Sequence, residues 1–321
     1  MKIGVFTVLL SNLPLEEALD YLKDQGVEAV EIGCGAYPGD AHCKPAELLA
    51  DETKLNAFKK AIQSRGLEIS ALSVHGNPLH PDQKIAQNHQ AAFENTLKLA
   101  RKLDVERVIN FSGCPGSDAA AKVPAWIVSP WPPDFAQALE WQWNEVVIPY
   151  WKEMVKFARN NGVSKIALEM HPNFVVYNVE TLLKLRSAVG PEIGANFDPS
   201  HLFWPGCDIG AAIRACGDAI YHFHAKDCKV DALNTGVNGV LDAKPYTDEL
   251  HRSWIFRTVG YGHDLAVWKD IVSNLRLVGY DHVMSIEHED SLMSPQEGLK
   301  KAIQFLKQAV ISEKPGVAYW A

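Results

Sequence analysis

Residues 164–198 read SKIALEMHPNFVVYNVETLLKLRSAVGPEIGANFD, and this stretch decides the fold. Its first run, SKIALEMH, is short, mostly apolar and ends at His171, as a strand does. An amphipathic stretch, VETLLKLRSAV, follows and is closed by Gly190, the residue that most readily takes the left-handed turn ending a helix. A second short run, IGANFD, ends at Asp198. A strand, a helix and a strand in this order make a right-handed crossover between two parallel strands.

The same alternation continues on both sides. Towards the N-terminus the β-rich runs are Lys2–Leu10, Val27–Gly33, a run ending at His75, and Arg107–Gly113. Towards the C-terminus they are Ile220–Asp227 and HVMSIEHE, residues 282–289. Helical stretches separate them, and several close on glycine (Gly26, Gly66, Gly162, Gly279). Eight βα units in 321 residues predict a single (β/α)8 TIM barrel over residues 1–321, with long loops after strands four (Cys114 to about Pro133) and seven (Cys228–His263). An open doubly wound sheet would carry a glycine-rich phosphate turn after its first strand. Here that turn reads SNLPLEE.

Composition narrows the function. The formal net charge of −8 offers no basic surface for nucleic acid or for an anionic membrane. No run approaches the length of a membrane span, and the N-terminus reads as a first strand rather than a signal peptide. The six cysteines are scattered without a CxxC pair, which argues against a zinc ribbon or a disulfide scaffold and for a reducing cytoplasm.

In a barrel the chemistry sits where the strands end. Strand three ends in His75-Gly76-Asn77, strand five in Glu169-Met170-His171 and strand six in Asp198-Pro199-Ser200-His201. Strand seven carries His222, His224, Lys226 and Asp227, and strand eight carries Glu287, His288, Glu289 and Asp290. Buried acids are costly unless paired or metal-bound, so carboxylates and imidazoles converging on one mouth point to a divalent cation. Alternation pairs Glu169 with His171, His222 with His224, and Glu287 with Glu289 on one face each. Glu169 and Glu287 follow directly on buried runs and are expected deeper than Glu289.

The motifs ALEMHP, NFDPSHLFW, HFHAKD, GYG before a helix, and SIEHED occur here in that order. Together they resemble the xylose isomerase-like barrels, in particular the sugar isomerase/epimerase group that includes ketose 3-epimerases and inosose-type enzymes. The resemblance covers almost the whole chain. It implies one divalent metal ion on Glu169, Asp198, His224 and Glu287, an oxygen-rich set suited to Mn²⁺, with Mg²⁺, Co²⁺ or Zn²⁺ as alternatives. It implies that Glu169 and Glu287 also move protons, through a metal-stabilised enediolate of a keto-sugar or sugar derivative. His201 would bind substrate, with His75, Asn77 and Lys226 as further candidates. The partners implied are a small-molecule sugar and further copies of the chain, in a homo-oligomer.

Two departures bear on the substrate. His171 and the stretch HAKDCKV, which lacks an Arg after the metal His, differ from the ketose 3-epimerases. Large loops with Trp126, Trp131 and Trp254 suit a bigger substrate, such as a 3-keto-glycoside cleaved or isomerised at the same site, and the alternative is that these tryptophans pack the loops on the rim or fill a subunit interface. The competing functions are a three-zinc abasic-site nuclease of the endonuclease IV type and a non-catalytic sugar-binding barrel. The bland readings are a core role for His222, solvation or helix capping for Glu289 and Asp290, pairing with Asp227 for Lys226, and a loop role for His263. Gly260-Tyr261-Gly262 as a phosphate cradle is weakly signalled.

Overall fold

The computed structural model describes residues 1–321. Its strands in chain order are β1 (Lys2–Phe6), β2 (Ala29–Gly33), β3 (Glu68–Ser73), β4 (Arg107–Asn110), β5 (Lys165–Glu169), β6 (Ile193–Phe197), β7 (Ile220–Ala225), β8 (Asp227–Val230), β9 (Trp254–Arg257) and β10 (Val283–Ile286). Eight of them form a closed barrel in the order β1-β10-β7-β6-β5-β4-β3-β2, every neighbouring pair parallel. This is the (β/α)8 barrel expected. The strands are shorter than their apolar runs, because the runs continue past the last ladder bond into the loops that carry the acids.

Local chemistry explains the deciding unit. Asn178 and Thr181 form a reciprocal capping box that starts the helix Val179–Val189. Gly190, with φ of +131°, ends it in a conformation that other residues rarely adopt. The helix Gln83–Leu103 ends instead on Asp104 in the left-handed helical conformation, at φ +57°, so glycine is not obligatory there.

The barrel interior is layered. At the N-terminal end Ala71, Ile109, Ala167 and Tyr221 fill the lumen. Gly194 makes room for this layer, since a Cβ there would come 2.4 Å from the Tyr221 ring. Above it lies a buried polar layer of Glu31, Ser70, Ser73, Asn196, His222, His224 and Ser285, and above that the strand-end acids.

The loop after β4 is a loop as expected, but the helix that follows it and the stretch after β7 differ from the expectation. The single helix expected over about 135–161 is three pieces, Pro133–Trp141, a π-turn at Gln142–Val147, and Ile148–Asn160. Pro149 has no N–H to donate and its ring crowds the preceding turn, so a wider turn forms there. Gln142 Nε2 donates to the carbonyls of Gly116 (3.0 Å) and Ala125 (2.7 Å), fastening the loop after β4.

The stretch after β7 is not plain loop. It contains the antiparallel pair β8–β9, a helix at Ala232–Asn238, and a satellite core of Trp204, Cys228, Trp254 and Phe256. With 23 residues between its strands, the pair has no tight turn to announce it.

Asp227 anchors this insertion. Its Oδ2 accepts from the backbone N–H of Gly260 (3.0 Å), Gly262 (3.1 Å) and His263 (3.0 Å) and from Trp268 Nε1 (3.2 Å). Its Oδ1 accepts from Cys228 N and faces His263 Nδ1 at 2.7 Å. A Cβ on Gly262 would meet Asp227 Oδ1 at 2.4 Å, so this glycine serves a close backbone approach. The GYG segment therefore cradles the protein's own carboxylate rather than a phosphate, and His263 has the expected loop role. Asp227→Ala strands several buried donors and is expected to cost at least about 3 kcal/mol in urea unfolding, with loss of amide-exchange protection at residues 260–263.

Candidate metal centre and substrate cavity

Four side chains from four strands meet at the C-terminal mouth. One ligand atom each from Glu169 (end of β5), Asp198 (after β6), His224 (β7) and Glu287 (after β10) lie within 4.8 Å of one another. His224 Nδ1 is 3.1 Å from both Glu169 Oε2 and Glu287 Oε2 yet hydrogen-bonded to neither, and Asp198 Oδ2, buried, accepts no well-aligned hydrogen bond, its nearest cation being the Lys226 ammonium at 3.1 Å. Orphaned buried donor and acceptor atoms facing a common point are what a cation site presents. Three carboxylates and one imidazole fit a hard divalent cation.

Charge balance supports the fit. Burial disfavours the charge of Glu287, but Lys226 and His224 hold its carboxyl well below the usual range. Glu169 is held down likewise, by His75, His201 and His224 against burial. Burial pushes Asp198 up to about 7, with Lys226 opposing and Glu169 and Glu287 adding to the rise. Lys226 and His224 keep their protons well beyond the ordinary range, against burial, because carboxylates surround them. Two cationic side chains thus face five acids, counting Glu31 and Glu289, and the site retains an excess of negative charge.

Glu31 is the participant that sequence reasoning missed. It lies on β2, fully buried, and its carboxylate sits 2.9 Å from His224 Nε2 while accepting from Ser285 Oγ (2.7 Å) and Ser73 Oγ. Burial raises its pKa, but His224, His222 and Ser73 more than offset this and hold it at about 2. The bond to Nε2 fixes the ring of His224 so that Nδ1 faces the other acids, the arrangement by which a carboxylate orients a metal-binding imidazole. The available signal was the second of two acids in the run VEAVEIG, Glu31, flanked by apolar residues on both sides.

A cavity of about 190 Å³ opens beside the cluster, walled by Phe6, Tyr37 and Phe111 and reached by Glu169, His171, Lys226, Glu287 and Glu289. A larger cleft of about 410 Å³, with Arg107, Lys165 and His282, lies at the opposite barrel end, away from the acids. The cavity that borders the candidate metal centre is therefore the smaller one.

A model of the family described as "Xylose isomerase-like TIM barrel" matches residues 19–309. The chain belongs to the xylose isomerase-like TIM barrels. Within this family it is 40% identical to the Bacillus subtilis protein YfiH over 312 residues, 97% of this chain and 99% of that one. Among solved structures, the probable 3-DHS dehydratase AsbF of Bacillus anthracis superposes with a TM-score of 0.67 at 17% identity, over 96% and 99% of the two chains. The IOLI protein with a bound zinc atom gives 0.64 at 20% identity, over 96% of each chain. An L-ribulose 3-epimerase gives 0.62 at 16%, over 96% and 94%.

As a xylose isomerase-like barrel, the chain has its other candidates sorted by the structure. His201 is buried, with Nε2 3.2 Å from Glu169 Oε1 and 3.4 Å from Asp198 Oδ2, and neither ring nitrogen has a hydrogen-bond partner. His75 reaches Glu169 Oε2 at 3.0 Å, where Asn196 Nδ2 also donates at 2.8 Å, so it positions that carboxylate as well as lining the cavity. Asn77 does not line it. Its amide donates to Cys114 O and accepts from Cys114 N and Leu79 N, which commits it to holding the loop after β4.

Lys226 ignores Asp227. Its ammonium is 2.7 Å from Glu287 Oε2, 3.1 Å from Asp198 Oδ2 and 3.1 Å from Glu289 Oε2. Glu289 is the most exposed of these acids, as expected of a rim residue. Asp290 is neither solvated nor a cap of the last helix, whose cap is Ser294. It accepts from Thr258 N and Arg257 Nε and ties β9 to the chain after β10. His222, bonded to Asn196 and Ser70, is a core residue.

Proposed function

We propose that this protein is a divalent-metal-dependent sugar isomerase/epimerase acting on a keto-sugar or sugar derivative by glutamate-mediated proton transfer. The observation that carries the reading is the pair Glu169, buried, and Glu287, partly buried, carboxylates from strands three places apart in the barrel order, held charged beside one cavity. A divalent cation held by Glu169, Asp198, His224 and Glu287 supplies Lewis-acid polarisation of the substrate carbonyl when bound. Mn²⁺ suits the oxygen-rich set best.

The chain's own groups do the rest. One glutamate takes the proton from the carbon beside the carbonyl and the other returns one. His75 and Asn196 fix Glu169 in place. Lys226 brings a fixed positive charge to the cavity, where the substrate oxygen gathers negative charge, and His201, on the wall of the neighbouring cavity beside Glu169, is the further candidate for contact with substrate oxygens. Phe6 and Phe111 give an apolar wall against which a sugar carbon face packs.

The test is a panel of keto-sugars and 3-keto-glycosides offered to Mn²⁺-loaded protein. Conversion is expected to stop on chelation and to return with Mn²⁺. Three zinc ions per chain by elemental analysis, with cleavage of abasic DNA, would overturn the reading.

A further inference from the structure

We infer that the substrate carries a planar apolar group outside the sugar ring, an aryl aglycone, and that a second cavity beside the catalytic one holds it. This rests on the sugar reading above and names the substrate class for it. The second cavity, about 240 Å³, is built by both long loops. The loop after β4 contributes Trp126 and Val128, and the insertion after β7 contributes Val240 and Leu241. Tyr177 and Trp204 complete its aromatic walls.

The cavity adjoins the catalytic one. His201 lines it while approaching Glu169 and Asp198 on its other side. His171 lines the catalytic cavity, its neighbour Pro172 lines the second, and the rings of His171 and His201 are 4.1 Å apart. A sugar beside Glu169 and Glu287 would therefore have a substituent at this histidine pair leading into the aromatic space.

Its chemistry selects the occupant. A cavity of about 150 Å³ suffices for benzene, so this one takes a substituted ring. The walls are rigid, since Trp204 stacks on Trp254 at 4.8 Å and Trp126 meets Tyr177 edge-on at 5.6 Å. Val128 and Leu241 stand 49% and 73% exposed at its edge, which is unfavourable for apolar side chains unless something covers them. Trp126 Nε1 and Trp204 Nε1 are buried without partners, and the imidazole of His201 can offer one N–H, so acceptor oxygens on the occupant would give these donors partners. A second sugar fits worse. Its several hydroxyl donors would find, among the side chains, only Tyr177 Oη and an imidazole nitrogen to accept them.

The test measures binding by calorimetry to the metal-loaded protein, using 4-nitrophenyl and methyl glucopyranosides of both anomers, with maltose as the two-sugar arm. One aryl anomer is expected to bind about tenfold tighter than its methyl counterpart, about 1.4 kcal/mol. Leu241→Glu, at an exposed position that does not threaten folding, and Trp126→Ala should each bring that ratio close to one. Equal aryl and methyl affinities, a ratio unchanged in both variants, or maltose binding as tightly as the aryl glucoside would each overturn the inference. The two readings fail separately. Aryl preference without conversion of any keto-sugar removes the proton-transfer reading alone, and conversion of free keto-sugars without aryl preference removes this one alone.

Discussion

Glu287→Gln lowers kcat by about 10²–10⁴-fold on whatever substrate the wild-type protein turns over, with a much smaller change in substrate affinity. The amide keeps the shape and one oxygen for a cation but cannot exchange a proton. The fold tolerates the change, because Lys226 retains Asp198 and Glu289 as partners. Urea unfolding measured alongside the kinetics separates lost chemistry from lost structure. Activity within a few-fold of wild type would remove Glu287 from proton transfer. Glu169→Gln should lose activity comparably and stability more, since Glu169 is held by His75 and Asn196 and approached by His201 and His224.

Glu31→Leu has the second large effect, and it falls on the cation rather than on the proton. The substitution leaves His224 Nε2, Ser73 and Ser285 without their shared acceptor. An unoriented His224 binds metal about 10–100-fold more weakly. Buried donors left unpaired add about 1–3 kcal/mol each to the loss of stability. Glu31→Gln, which can still accept from Nε2, should lie between. Titration of Mn²⁺ against a competing chelating indicator reads this without any substrate. Wild-type affinity in Glu31→Leu would show that β2 does not hold the imidazole ring of His224 in place and that the contact is packing alone.

Most of the framework was legible because it is written in local patterns. Alternation of short apolar runs with glycine-closed helices needs only neighbours in sequence, and the bias of acids and histidines to strand ends follows once the barrel is assumed. Glu169, Asp198, His224 and Glu287 lie where strand ends predict them, each next to a recognisable run. What escaped depends on partners far apart in the chain. Glu31 is one acid in an apolar strand, and its partner His224 is 193 residues away. Asn77 looked like a cavity residue because it follows His75, yet its amide is consumed by Cys114 across a loop. Asp227 and GYG looked like two separate features and are one hydrogen-bonded unit. The aromatic cavity needs both insertions folded together, which no spacing of tryptophans reveals.

Deuterium wash-in tests the central claim most directly. Mn²⁺-loaded protein is incubated in ²H₂O with a keto-sugar or 3-keto-glycoside that it converts, and the product is read by proton NMR. Proton transfer by Glu169 and Glu287 predicts loss of the signal from the carbon beside the carbonyl, at a rate that collapses in Glu287→Gln. Conversion with that hydrogen fully retained, or exchange undiminished in Glu287→Gln, would contradict it.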